Sequence, residues 1–127
     1  MTPVRQSKLY AADGNHCGNC FAACMASLLD LPLWMVPPFE EMFGRSDFGV
    51  NKYADLWLGR MFGLRMVRSN DHDPTKLPEF YIASGPSPRG VMHSVIYKAG
   101  EMVHDPHYTD TGIESVAWVW HLEQAAP

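Results

Sequence analysis

The 127-residue chain lacks a basic surplus, a long apolar run and an even set of cysteines. Each absence removes a class of function. Ten Lys and Arg against fourteen Asp and Glu leave a net charge of −4, without the basic surface a general nucleic-acid binder needs. The longest apolar stretch, FAACMASLL, is far short of a membrane span. The opening MTPVRQSKLYAADG has no apolar centre of the kind a secretory signal carries. Three cysteines without such a signal argue against a disulfide scaffold and for a reducing, cytoplasmic setting. Neither a nucleic acid nor a membrane is expected as a partner. What remains is 46% hydrophobic and 12% aromatic, the composition of a packed chain rather than a disordered one. A single domain over 1–127 is expected, because a chain of this size buries a core without staples.

The first half reads as helical. Phe21, Cys24, Met25, Leu28 and Leu29 form one apolar stripe, which predicts a helix over 20–30 with Asn19 as its N-cap. Pro32 and the Pro37-Pro38 pair punctuate the next stretch, and PFEEMFGR adds a short helical turn. Ala54, Trp57, Leu58 and Met61 share a face, predicting a second helix over 51–62 that Gly63 stops. The second half changes to runs rich in β-branched and aromatic residues: LRMVRS, EFYIAS, HSVIYK, EMVHDP and SVAWVWHLE. Helices first and a mostly antiparallel sheet after make an α+β chain.

The chemistry concentrates in NHCGNCFAAC (15–24), where all three cysteines fall. Cys17 and Cys20 with His104 and His107 have the composition of a tetrahedral zinc site. Against that, Cys20 opens an amphipathic helix, and Pro106 interrupts the histidine pair. Cys17-Gly18-Asn19-Cys20 also has the spacing of a redox pair, but no parallel strand precedes it. The favoured reading makes Cys20 a nucleophile, its thiolate favoured by the positive end of the helix, with backbone N–H groups to hold an oxyanion. Cys24, one turn on, is core packing, and no metal or cofactor is expected.

A nucleophilic cysteine needs a base and the base an orienting partner. A three-residue loop at Lys98-Ala99-Gly100 would set Tyr97 opposite Glu101 and His93 opposite Asp105, with Cβ atoms about 4.5–5.5 Å apart. A two-residue Ala99-Gly100 turn would instead face Ser94 to Asp105, but the glycine at the third loop position favours the three-residue register.

GNCFAACMASLLDLP, HSVIY and VHDPH, in that order, resemble the papain-like cysteine peptidase superfamily. With GPSPRG they look most like small phage and bacterial proteins of that fold. The resemblance covers about Gln6 to Thr111. It implies a nucleophile helix packed on a mostly antiparallel sheet, with Cys20 as nucleophile, His93 as general base and acid, and Asp105 as orienter. It also implies an upstream amide side chain completing the oxyanion hole. The position six before the nucleophile, where papain has Gln, is Gly14 here, so Gln6 and Asn15 are both candidates.

The expected activity is cysteine-dependent acyl transfer inside the cell, on a peptide, a protein or a small amide, with a lowered Cys20 pKa. A catalytically idle fold used as a binding or inhibitory module is the rival from another class. Ser87 and Arg89, in the loop before His93, and Tyr108, after Asp105, are candidates for substrate contact. Trp118 and Trp120 read as core, Trp34 and Phe39 as cover for the groove, and His16 and His107 as surface residues.

Overall fold

A computed structural model describes residues 1–9, 18–43 and 47–125, with the side chains of residues 43, 47 and 48 left aside. Helices α1 (Cys20–Leu29), α2 (Phe39–Phe43) and α3 (Asp47–Phe62) precede five strands. These are β1 (Leu64–Ser69), β2 (Phe80–Pro86), β3 (Met92–Lys98), β4 (Glu101–His104) and β5 (Trp118–Gln124). The strands make one antiparallel sheet in the order β1-β5-β2-β3-β4, so the last strand returns to its middle. The α+β expectation holds. Among the described residues no helix is long and apolar enough to cross a membrane.

Strand alternation divides the core in two. Ile82, Ile96 and Trp120 point to the face carrying the helices, where they meet Phe21, Cys24, Met25, Phe39, Val50, Ala54 and Leu58. Tyr81, Ala83, Val95 and Val119 point the other way, under Leu77, Ile113 and Val116. Each large side chain fully buried in the first cluster contributes about 1.5–3 kcal/mol, so the helix side dominates stability. Ala22, Ala23 and Ala26 are buried along α1, and their small size lets this helix lie close to β3.

Helix ends follow local chemistry. Asp30 takes the left-handed conformation (φ 56°) after α1 and returns its N–H to Ala26 and Ser27 carbonyls. Gly63 does the same after α3 with φ 65°. At the start of α1 the expected cap is corrected. Asn19 makes no side-chain cap; its Oδ1 accepts from the N–H groups of Ser7 (3.0 Å) and Lys8 (2.9 Å).

Those bonds tie an N-terminal arm between α1 and the sheet edge. Ser27 Oγ donates to Ala23 O and accepts the Val4 N–H. Further along, His104 Nε2 donates to Val4 O at 2.7 Å, and the Gln6 N–H goes to Pro106 O at 3.0 Å.

Cys24 is wholly buried among apolar groups. Replacing it by Ser places a hydroxyl there, and Cys24→Ser should lose about 1–3 kcal/mol, read as a lower urea midpoint. An unchanged midpoint would contradict its place in the core.

Candidate active site

The β3–β4 hairpin corrects the expected register. The turn has two residues, not three: Lys98 pairs with Glu101 and Tyr97 with Met102. Ala99 and Gly100 both have positive φ, 52° and 84°, the conformation whose twist suits a two-residue hairpin. Tyr81 Oη accepts the Gly100 N–H at 3.1 Å and helps hold it. Alone, that turn would put Asp105 on the opposite face from His93. A second irregularity restores the side: Ile96 pairs with His104, leaving Val103 as an extra, bulged residue. Two one-residue shifts cancel in parity, so Asp105 follows on the face of Val95 and His93 without standing directly across from His93.

The contact itself forms. His93 Nε2 lies 2.6 Å from Asp105 Oδ1, and both side chains are buried. The same Oδ1 accepts the His107 N–H at 2.8 Å, and Oδ2 accepts the Gly112 N–H at 2.8 Å. Burial alone would raise the Asp105 pKa, but the His93 bond and the two backbone donors outweigh it and bring it down to about 2. The ionised carboxylate can only accept, so Nε2 carries a hydrogen, and in the neutral ring the lone pair is then on Nδ1. Arg5 fixes the back of this loop through the carbonyls of Asp105 (3.2 Å) and His107 (2.7 Å) and the Asp110 carboxylate.

Cys20 is half-buried at the first turn of α1. β4 stops at His104, opposite Ile96, and leaves the outer edge of β3 free at Ser94. The Ser94 N–H is directed at the Cys20 sulfur, so the thiol sits against the residue next to His93. Among the described residues no hydrogen bond joins the sulfur to the His93 ring. The expected lowering of the thiol pKa is overturned: burial first, then the nearby Glu40 charge, pushes Cys20 up to about 12. The N–H groups of Ser94 and Phe21 oppose this and are outweighed.

Glu40 is the residue sequence reading missed. Its Oε2 accepts the Phe21 N–H at 3.0 Å, giving α1 the cap that Asn19 does not supply. Its Oε1 is buried and has no hydrogen-bond partner among the described residues. Burial lifts Glu40 to about 7 against the pull of its own, Phe21 and Ala22 N–H groups. The only sequence signal was the Pro37-Pro38 pair, which places a short acidic helix nearby without saying which way it points.

The other candidates divide. Gln6 lies between the two halves, its N–H on Pro106 and its Nε2 on Lys8 O at 2.8 Å, while Lys8 O also accepts the Asn19 N–H. Its Oε1 is buried without a partner. Asn15, His16 and Cys17 lie outside the described residues. Ser87 is buried, and its Oγ closes the loop onto Val91 O at 2.8 Å, which removes it as a substrate contact in this arrangement. Arg89 is exposed and touches the hydroxyls of Thr109 (3.4 Å) and Thr111 (3.3 Å). Tyr108 is 70% exposed and stacks on His107 with centroids 4.6 Å apart.

His107 is corrected from a surface residue: it is buried, with its ring edge-on to His93 at 6.1 Å. Phe39 belongs to the core rather than to a groove cover, whereas Trp34 is exposed. Of the zinc set, His104 is committed to Val4 O and His107 Nδ1 to Thr109. The described residues contain no cluster that could hold a metal ion.

Comparison of the chain with protein-family models, curated proteins and solved structures finds no match.

The Asp105 pKa gives a signed prediction. A carboxyl depressed from 3.8 to about 2 adds stability that is present above the ordinary value and lost as pH falls through the folded one. At one pKa unit per 1.36 kcal/mol, this contribution is about 2 kcal/mol. The stability gap between wild type and Asp105→Asn should therefore begin to narrow below about pH 4 and lose that whole amount only below about pH 2, in urea melts run against pH. A gap constant with pH would contradict the ionised assignment.

Proposed function

We propose that this chain is a papain-like, cysteine-dependent acyl-transfer hydrolase with Cys20, His93 and Asp105 in the roles of nucleophile, base and orienter. One observation carries the reading. The buried, ionised Asp105 holds His93 in the tautomer that leaves Nδ1 basic, on the strand whose next residue directs its N–H at Cys20. A raised thiol pKa makes the resting group a thiol, so the sulfur loses its proton as it attacks. Catalytic hydrogen bonds of this kind commonly tighten only once substrate is bound.

In the step proposed, Nδ1 takes the thiol proton, a carbon–sulfur bond forms to the carbonyl, and the amine leaves with that proton. Water then hydrolyses the thioester, releasing the acid and restoring the thiol. The Cys20 backbone N–H and a Gln6 side chain turned toward the sulfur would hold the oxyanion. A peptide, protein or small amide in the cytoplasm fits this chemistry, and no cofactor is called on.

The binding-module reading is favoured by the raised pKa of Cys20, which burial and then the Glu40 charge push up to about 12. The two separate with an activated ester such as p-nitrophenyl acetate, followed by peptide mapping. Wild type should acquire the acetyl group on Cys20 and turn over. His93→Ala should acylate about a hundredfold more slowly, the lower end of general-base effects, and Cys20→Ala should not react at that position. Equal acylation in wild type and His93→Ala would sink the hydrolase reading and promote the binding module.

A further inference from the structure

The first turn of α1 presents one set of backbone donors and two acids that want it. The prolines at 37 and 38 start α2, with the Phe39 N–H on Pro37 O at 2.8 Å and the Met42 N–H on Pro38 O at 3.0 Å. Phe39 is then driven wholly into the core, its ring against Phe21, Tyr53 and Trp57. With Phe39 anchored, Glu40 projects onto α1, where its Oε2 takes the Phe21 N–H at 3.0 Å. That same N–H is within bonding reach of the Cys20 sulfur.

We infer that Glu40 is a charge-setting residue for Cys20: its carboxylate on the first turn of α1 adds to the effect of burial in holding the proton on the thiol, and removing that charge makes the sulfur easier to ionise. The positive end of a helix supports roughly half an elementary charge, enough to favour one nearby anion but not two in a buried setting. Glu40 supplies that anion in the resting protein. A tetrahedral oxyanion drawn toward this turn would meet the same competition, so the turn can serve it fully only once Glu40 is protonated or withdrawn.

The described surroundings of Glu40 add negative charge rather than relieve it. Cys20 and Cys24 face it from α1, and both thiols feel its charge. Asp105, from beyond β4, adds a second negative field at those sulfurs. Lys8 of the arm is engaged by the neighbouring Glu41. α3 brings the Tyr53 ring against Phe39. Among the described residues no Lys, Arg or His pairs with Glu40. Its elevation to about 7 places the change of charge in the neutral range.

The test is the rate of iodoacetamide alkylation at Cys20 in the full chain, followed by peptide mass mapping from about pH 5 to about pH 10. It reads the sulfur alone, so it stands whether or not the acyl-transfer reading survives. In wild type the rate should rise with pH, flatten near neutrality as Glu40 ionises, and rise again. In Glu40→Gln, which keeps an acceptor for the Phe21 N–H but loses the charge, the shoulder should vanish. The apparent thiol pKa should drop by about a unit or more, with alkylation about tenfold faster near pH 7.5. Glu40→Asp, which keeps the charge, should stay within about threefold of wild type on the same scale.

Cys24 serves as an internal monitor of the fold, since it stays unreactive while α1 is docked. A Glu40→Gln profile that superimposes on wild type would overturn the inference. So would simultaneous alkylation of Cys24, which would assign the faster reaction to a loosened helix, and so would a wild-type profile without the shoulder.

Discussion

A single buried carboxylate organises the His93 side of this molecule. Asp105 gathers the His93 ring, the His107 N–H and the Gly112 N–H onto its two oxygens. Without these donors a charge at that depth would be too costly to keep ionised. The dependence runs outward. The loop after β4 must curl back so that Gly112, at φ 69°, reaches Oδ2. It continues across the sheet, with the Glu114 N–H on Pro86 O and the Ala117 N–H on Ser84 O. Gly85 lies under that crossing, where a Cβ would run into the Ser115 backbone carbonyl. The N-terminal arm completes the enclosure through Arg5.

The other half of the site obeys a different constraint, competition for the donors at the head of α1. A helix start with no acidic residue in its own first turn would leave its N–H groups to solvent or to substrate. Here a carboxylate from a separate helix takes the place; burial raises its pKa against the pull of those donors, and its charge adds to the burial that raises Cys20. Both Asp105 oxygens are satisfied, whereas among the described residues Glu40 Oε1 has no partner and its charge opposes ionisation of the Cys20 thiol.

Much of this was legible from residue order. The apolar stripe from Phe21 to Leu29 located α1 within a residue, and the β-branched runs located all five strands with shifts only at their ends. The pairing of His93 with Asp105 was also anticipated, but by a register that does not occur. Ala99 gave no sign that it would accept a left-handed conformation, and nothing in Met102-Val103-His104 announced a bulge. The expectation about faces survived because two shifts of one residue leave side-chain parity unchanged. His107 read as surface because its burial depends on a loop folding over the sheet, which local pattern does not encode.

Sequence by itself determined the elements and the cast: an amphipathic helix opened by Cys20, strands alternating between two apolar faces, and a histidine and an aspartate flanking one hairpin. These follow from periodicity and turn chemistry, which act over a few residues. Tertiary structure alone decided the electrostatics. The raised pKa of Cys20 comes first from the depth of its burial and then from Glu40, twenty residues along the chain and brought in by the anchoring of Phe39. Charges act through space and through the depth of their burial, and neither is written in the spacing of residues along a chain.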